Sequence, residues 1–153
     1  MVELDKKDRQ LLQALQTNAR LSNSALAEAV SLSDTPCLRR IKNLQSNGVI
    51  LGYHAALNPK ALGWSVLVYA FIRLTENSAQ AASQFEAHVE ALPQVLSCSV
   101  ISGSYDYLLE IIAEDLERYE YFLKHRLATF APIAAMESTI VLKQTFTRRS
   151  LPI

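Results

Sequence analysis

Four polar side chains between Ser33 and Gly48 have the types and the spacing that suit contact with DNA. On a helix that advances about 100° per residue, the side chains that project from one side are Thr35, Arg39, Asn43 and Ser46. An arginine can donate two hydrogen bonds to a guanine edge, an asparagine can pair with adenine, and a threonine can hold a phosphate. The alternative is an ordinary solvated helix face that binds nothing. The elements around these side chains decide between the two interpretations.

The segment that holds these side chains is the second of two predicted helices joined by a short turn. Ser22 is a good N-cap for the first helix, and the polar Ser31 stops it. Ser33 caps the second helix, and Pro36 lies in its first turn, where a missing backbone donor does no harm. Gly48 ends that helix as a C-cap glycine. Two capped helices joined in this way are typical of a DNA-binding helix-turn-helix.

Basic and polar residues of this helix pair form the candidate DNA-contacting set. Arg39 is expected to read bases, whereas Arg40 and Lys42 flank the exposed side and are expected to anchor phosphates. The full set is Ser22, Ser33, Thr35, Pro36, Arg39, Arg40, Lys42 and Asn43.

A further helix is predicted before the pair, and a short wing after it. Asp5 is the N-cap of the first helix, Asp8 is placed for a weak capping box, and the apolar stripe ends near Asn18. The run from Val49 to Pro59 is rich in strand formers and is broken by Gly52, which predicts a short hairpin or wing. The expected core of the three helices consists of Leu11, Leu12, Leu15, Leu26, Val30, Leu38, Ile41 and Leu44.

The charge of the chain is unevenly distributed, although its formal net charge is zero over 153 residues that are 50% hydrophobic. Residues 1–60 hold eight Lys/Arg and five Asp/Glu, a net charge of +3, whereas residues 61–153 hold seven and ten, a net charge of −3. The basic half contains the helix pair, as a DNA-binding head requires. The absence of a CxxC pattern, a signal-peptide core and a bilayer-length apolar run predicts a cytoplasmic protein. Cys37 and Cys98 are expected to be small buried thiols.

The second half of the chain predicts a doubled βαβ unit. The order strand, helix, strand, strand, helix, strand gives a four-stranded antiparallel sheet with both helices on one face, the ferredoxin-like arrangement. Because the strands are apolar on both sides, the uncovered sheet face is expected to pack against a second copy. The predicted strands are 64–74, 95–102, 105–113 and 133–142, and the predicted helices are 79–92 and the segment that Asp115 caps.

Three runs of the sequence together resemble the Lrp/AsnC, or feast/famine, family of bacterial and archaeal transcription regulators. They are LDKKDRQLLQALQTNARLSNSALAEAV, LSDTPCLRRIKNLQSNGVI and SGSYDYLL. The resemblance covers essentially the whole chain and implies an α+β protein, with a winged helix-turn-helix domain at 1–60 and a ferredoxin-like βαββαβ (RAM) domain at 64–153. It also implies a homodimer through the sheets, often a tetramer of dimers forming an octameric disc, with an amino acid bound between dimers and no cofactor.

The resemblance further implies that the loop of Gly103, Ser104, Tyr105 and Asp106 binds the amino-acid effector. Gly103 would let backbone amides approach a carboxylate, and Asp106 would accept a hydrogen bond from an ammonium group. Tyr105 would wall off the effector's side chain. The alternative is a plain hairpin turn in which Asp106 caps the backbone. The identity of the effector stays open, because relatives often place a charged or bulkier residue where this chain has Ser104.

Two other functional classes compete with a DNA-binding regulator. Sirohaem decarboxylases of haem biosynthesis look similar to the family in both halves, but their pattern needs histidines near a tetrapyrrole, and here only His88 and His125 are available. A sensing module that acts through protein contacts alone is the second rival. No Ser/His/Asp order, paired carboxylate or phosphate-cradling loop stands out, so no enzymatic activity is expected. Arg148 and Arg149 in the tail receive no role.

Overall fold

The computed structural model describes residues 2–76, 78–130, 132–148 and 150–153. They form two compact units, one of Met1–Ala56 with Phe146–Ile153 and one of Leu57–Thr145. The elements in chain order are α1 (Lys6–Thr17), α2 (Asn23–Ala29), α3 (Asp34–Ser46), a short 3₁₀ turn (Lys60–Leu62), β1 (Val66–Leu74), α4 (Ala79–Glu90), β2 (Val95–Val100), β3 (Tyr107–Ala113), α5 (Leu116–Phe122), a π-helical turn (Leu123–Leu127) and β4 (Ile133–Ile140).

The ends of the first three helices lie where the sequence predicts them. Asp5 and Asp8 form the full capping box, in which each carboxylate accepts a hydrogen bond from the other residue's backbone amide, at 2.8 and 3.2 Å. Ser22 caps α2 by accepting from the amide of Ala25 at 3.1 Å. Past the end of α3, Gly48 has a φ of +67°, and the next amide, that of Val49, donates to Leu44 at 2.9 Å.

The core of the three helices differs from the predicted one at Leu38. The buried side chains of α3 are Cys37, Ile41 and Leu44, which are three and four residues apart and form a single narrow stripe. Leu38 lies beside that stripe and is 44% exposed, because three short helices cannot cover a wider apolar surface. The expectation that Leu38 is part of the core was wrong. The buried cluster consists of Leu11, Leu26, Ala27, Val30, Cys37 and Ile41, with Leu15 only partly buried against it.

The expected wing after α3 does not form. Residues 49–59 are all described, and none of them belongs to a strand. The commonest two-residue hairpin turns need a residue with positive φ, and Gly52 does not have one. Leu51 and Leu57 are 94% and 69% exposed. The helix-turn-helix is therefore present without a wing in this chain.

The tail returns to the first unit, although the sequence assigned it to the second domain. The side-chain amide of Gln16 pairs with the backbone of Leu151, donating to its carbonyl at 3.1 Å and accepting from its amide at 2.5 Å. The guanidinium of Arg148 lies 5.7 Å from the centre of the Phe146 ring. Arg149 lies outside the described residues.

The second unit has the predicted ferredoxin-like arrangement. Its strands follow the order β2-β3-β1-β4, and every neighbouring pair is antiparallel. Burial alternates along β1 and β3, so that one face carries the core side chains Val68, Ile72, Leu109 and Ile111, against which Phe85 of α4 packs. The prediction of two helices covering one face of the sheet is thus confirmed.

The other face of the sheet, here called the open face, carries large apolar side chains. Leu67, Tyr69 and Phe71 project from the middle of β1 on this side, and each is only partly buried. Leu108 and Ile112 continue the patch on β3. Within the described residues, no helix covers this face, because α4 and α5 both pack on the other one.

In the part of the chain that the structure describes, no helix combines the length and apolar character needed to cross a membrane. The same residues contain no cluster of three or more His, Cys, Asp or Glu side chains suited to hold a metal ion.

Candidate DNA-binding face and effector loop

The outer side of α3 carries the side chains that the sequence selected for DNA contact. Thr35, Arg39, Lys42 and Asn43 are all exposed, and none of them is covered by the core of the first unit. A shallow groove of about 460 Å³ is lined by Arg39, Arg40, Asn43 and Ser46. A helix that presents Arg, Lys and Asn together from a compact head has the chemistry needed to enter a major groove.

The amide of Asn43 is oriented by a neighbour that the sequence interpretation missed. The Nδ2 atom of Asn47 donates both to the backbone carbonyl of Asn43 at 2.8 Å and to its side-chain oxygen at 3.1 Å. The Nδ2 atom of Asn43 has no hydrogen-bond partner among the described residues and is therefore free to donate outward. The signal in the sequence was the spacing of four residues between the two asparagines, which face the same side of a helix.

The start of α3 is fixed by side chains of α2. Ser33 has the extended backbone of an N-cap, but its side chain makes no capping hydrogen bond. Instead, the Nδ2 atom of Asn23 donates to the carbonyl of Asp34 at 2.9 Å, and the hydroxyl of Ser24 donates to the Asp34 carboxylate at 2.8 Å. The hydroxyls of Ser22 and Ser33 are exposed at this end of the helix pair.

Two remaining features of the helix pair concern Pro36 and the turn. Pro36 lies in the first turn of α3, as predicted, and is partly buried. The turn between α2 and α3 uses a left-handed residue, Ser31, with a φ of +53°. The amide of Leu32 then donates to Ala27 at 2.8 Å, and Lys7 of α1 donates to the carbonyl of Val30.

Arg40 is partly exposed at the edge of the groove, but its guanidinium is paired with two carboxylates of the head. Its Nη1 atom donates to Asp5 at 2.7 Å and to Asp8 at 2.8 Å. These two carboxylates raise the pKa of the Arg40 guanidinium, through hydrogen bonds first and charge second. The pKa of Asp5 is lowered, first by the backbone amide of Asp8 and then by Arg40. Arg40 was expected from the sequence to anchor a phosphate, but in the structure it is already paired with two carboxylates of its own chain.

The predicted effector loop is joined to β1 by hydrogen bonds of Asp106. Its Oδ2 atom accepts from the amide of Leu74 at 2.8 Å, and its own amide donates to the carbonyl of Ile72 at 2.8 Å. Gly103 has a φ of +129°, a backbone conformation that residues with a side chain rarely adopt. Asp106 thus supports the backbone, but the amide that its carboxylate caps belongs to Leu74 of β1 and not to its own turn, as the hairpin-turn alternative had it. Its Oδ1 atom has no hydrogen-bond partner in the described part of the chain, so one carboxylate oxygen remains for a ligand.

Tyr105 projects to the open face of the sheet, where it meets a residue that sequence reasoning missed. Its hydroxyl donates to the Glu137 carboxylate of β4 at 2.7 Å, and its ring centre lies 5.6 Å from that of Phe71. The hydrogen bond to Glu137 raises the pKa of the Tyr105 phenol, and desolvation adds to the effect. No sequence motif links positions 105 and 137, so only the sheet register brings them together. Ser104 is exposed.

The two cysteines differ in their exposure to solvent. Cys37 is fully buried, as predicted, and burial followed by the charge of Asp34 raises its pKa. Cys98 is exposed because it lies on the edge strand β2, so the expectation that it is buried was wrong. Partial desolvation and the nearby Glu86 still raise the pKa of the Cys98 thiol. A raised pKa disfavours the reactive thiolate in both cases.

The histidines considered for a tetrapyrrole site make local contacts. The ring of His88 stacks on Phe130, with centres 5.3 Å apart, and its Nε2 atom lies 3.0 Å from the carbonyl of Arg126. The ring of His125 lies 4.5 Å from that of Tyr121.

Two family models match the chain over both units. The AsnC-type helix-turn-helix domain matches residues 4–45. The Lrp/AsnC ligand binding domain matches residues 67–151.

Similar proteins of known kind match over nearly the full length. The DNA-binding transcriptional activator DecR of Escherichia coli is 35% identical over 150 residues, which cover 98% of this chain and 99% of that protein. The leucine-responsive regulatory protein of Salmonella typhimurium is 36% identical over 142 residues, or 93% of this chain and 87% of that protein. A transcriptional regulator from Neisseria meningitidis, solved as a complex with L-Met, superposes with a TM-score of 0.92 at 35% identity, covering 98% and 97% of the two chains.

Proposed function

This chain belongs to the Lrp/AsnC family of transcriptional regulators, and from that premise we propose that it binds DNA sequence-specifically in response to an amino acid held between dimers. The observation that supports the DNA-binding part best is the exposed side of α3, where Thr35, Arg39 and Asn43 lie together. In this proposal the protein works in the cytoplasm, as a regulator and not as an enzyme.

The DNA-reading residues have distinct proposed roles. Arg39 reads base edges because it is exposed and lines the groove on α3. Lys42 holds a phosphate as a point charge, and Thr35 supplies a hydroxyl at the start of the helix. Ser22, Ser33 and Pro36 lie near the starts of the two helices, where exposed hydroxyls and free amides suit the DNA backbone.

The open face is the proposed dimer surface. Its centre carries the large apolar side chains Leu67, Tyr69, Phe71, Leu108 and Ile112 around Glu110, and a sheet face of this mainly apolar character favours burial against an identical copy. Tetramers of dimers are the proposed larger assembly, in keeping with the resemblance to the family.

The amino acid is proposed to bind at the loop of Gly103, Ser104, Tyr105 and Asp106. The backbone amides next to Gly103 suit its carboxylate, and the unpartnered Oδ1 atom of Asp106 suits its ammonium group. L-Met is the ligand of the Neisseria meningitidis regulator, and leucine is named for the Salmonella typhimurium protein. A zwitterionic amino acid with an apolar side chain is thus the first class to test here.

The ligand would act by shifting populations among assemblies. An amino acid that binds one arrangement of dimers more tightly favours that arrangement and changes which DNA half-sites the paired α3 helices can reach together. A multi-headed assembly also contacts DNA at several turns, which favours flexible, AT-rich tracts.

The test uses the full chain and a DNA duplex from the region upstream of its own gene, with a shuffled duplex as the matched control. Fluorescence anisotropy should show tighter binding to the upstream duplex, with an affinity that falls steeply with salt.

Thermal-shift screening of the twenty amino acids should find one that raises the melting temperature by mass action. That amino acid should also change the sedimentation coefficient and the affinity for DNA. Equal affinity for both duplexes would contradict the DNA-reading role, and a ligand that changes neither assembly nor affinity would contradict the effector role.

A further inference from the structure

The capping box of α1 is joined to the recognition helix by one arginine. Within that box, one oxygen of Asp5 and one of Asp8 accept from backbone amides at the start of α1. The other oxygen of each carboxylate accepts from the Nη1 atom of Arg40, at 2.7 and 2.8 Å. All four carboxylate oxygens are therefore used: two hydrogen bonds lie within the start of α1, and two join it to Arg40 on α3.

The charge of this network argues against a phosphate contact. Two carboxylates surround one guanidinium, so the cluster carries a net negative charge. The side chain of Asp5 is 52% exposed, so a phosphate approaching Arg40 would meet a carboxylate as well as the guanidinium. Desolvating two carboxylates beside a phosphate is unfavourable unless another cation compensates them.

The position of Arg40 on α3 gives the network its effect on DNA reading. Arg40 follows Arg39 directly and lies one helical turn before Asn43. A tether at this point holds the orientation of the helix that carries both side chains. Base readout depends on side chains reaching donors and acceptors within a fraction of an ångström, so a small rotation of α3 would weaken specific binding.

We propose that Arg40 is a positioning residue. Through its contacts with Asp5 and Asp8 it fixes the orientation of α3, and so of Arg39 and Asn43, and it makes no phosphate contact of its own. This inference rests on the proposed DNA-binding function. It assigns the two aspartates to DNA recognition, although both are acidic and lie on a helix that precedes the helix-turn-helix.

The two roles of Arg40 predict opposite effects for the aspartates. If Arg40 held a phosphate, the double variant Asp5→Asn/Asp8→Asn would release the arginine and remove negative charge near DNA, so affinity would rise. If Arg40 positions α3, the same variant should weaken specific binding roughly tenfold. Arg40→Ala should weaken it by a similar factor, and the triple variant should be no weaker than either, because all three residues act as one unit.

The experiment measures the affinity of the full-length variants for the upstream duplex across a salt series. Arg40→Ala should leave the slope of log K against log[salt] unchanged, whereas Lys42→Ala should reduce it by about 0.9, the value for one lost phosphate contact. Glu28→Gln is the control for charge removal, because Glu28 is exposed on α2 and its side chain forms no hydrogen bond or ion pair within the described residues. A reduced slope for Arg40→Ala, or tighter binding by the aspartate variant, would overturn the proposal.

Hydrogen exchange without DNA keeps the inference separate from the proposed function. Arg40→Ala should speed amide exchange at the start of α1 and in α3, and Arg40→Lys should do so less. Unchanged exchange in α1 would overturn the inference even if the protein binds DNA. If the wild-type protein shows no preference for the upstream duplex while exchange changes as expected, the proposed function fails and the coupling of α1 to α3 stands.

Discussion

The Oδ2 atom of Asp106 accepts a hydrogen bond from the backbone amide of Leu74 at 2.8 Å. This contact fastens the predicted effector loop to β1 at the point where the register of β1 with β4 shifts, between Arg73 and Leu74. A carboxylate at this position therefore supports the loop whether or not a ligand is bound. Only its second oxygen is available for an ammonium group.

Two substitutions of Asp106 distinguish its role in supporting the loop from its proposed role in binding the amino acid. Asp106→Ala should lower the free energy of unfolding by about 1 to 3 kcal/mol, because the amide of Leu74 loses its partner in a partly buried place. Asp106→Asn keeps an oxygen for that amide and should preserve most of the stability, but its neutral amide should weaken amino-acid binding. Urea denaturation and thermal shift with the effector measure the two effects. Full ligand affinity in Asp106→Asn would contradict contact with the ammonium group.

A charge at the centre of the open face should prevent dimer formation. Phe71→Glu places an unpaired carboxylate in the proposed apolar interface and opposite Glu137 of β4, so both desolvation and like-charge repulsion oppose association. Sedimentation velocity should show a folded monomer, with folding checked by circular dichroism. The control is Gln84→Glu, which adds the same charge at an exposed position of α4. A dimer that survives Phe71→Glu unchanged would show that the subunits associate elsewhere.

The stability of the second unit should fall at high pH through Tyr107. Burial, aided by a hydrogen bond to Glu86 at 3.0 Å, raises the pKa of this phenol from 10.0 to about 12. Because the folded state favours the neutral phenol, the stabilisation is complete below pH 10 and is lost as the pH rises toward 12. Urea denaturation of the wild type between these limits should show a decline that Tyr107→Phe reduces. At neutral pH, the variant should be less stable by about 1 kcal/mol. An identical decline in both proteins would contradict this assignment.

Acid should weaken the contacts that Asp5 makes with the amide of Asp8 and with Arg40. The pKa of Asp5 is lowered by the amide of Asp8 and by Arg40, so its contribution to stability is present above its ordinary value of 3.8 and is lost as the pH falls below it. Asp5→Asn should reduce the acid sensitivity of the first unit, as followed by hydrogen exchange in α1. The same acid dependence in wild type and variant would place the sensitive group elsewhere.

Local features of the fold could be predicted from the sequence because a few neighbouring residues determine them. The caps at Asp5 and Ser22 and the left-handed Gly48 each depend on residues within five positions, and the structure has all three. The order of strands and helices followed from the period of the apolar pattern. The wing and the burial of Leu38 depend on what the rest of the head can cover, and no local pattern contains that information.

The candidate sites were only partly predictable for the same reason. The exposed side of α3 follows from helical spacing, so Thr35, Arg39 and Asn43 lie where the sequence placed them. The partners of Arg40 and Tyr105 lie about 30 residues away in the chain, at Asp8 and Glu137, and only tertiary structure reveals them. Charged residues in a motif can therefore serve the protein's own framework as well as its ligand.

The most direct test of the account compares the affinities of Arg39→Ala for the upstream duplex and for a shuffled duplex at one salt concentration. Arg39→Ala should lose about 1 to 3 kcal/mol of binding free energy on the upstream duplex and much less on the shuffled one, so that specificity relaxes. Lys42→Ala, the matched control, should weaken binding to both duplexes alike. Equal losses on the two duplexes for both variants would contradict the claim that the exposed side of α3 reads the sequence of DNA.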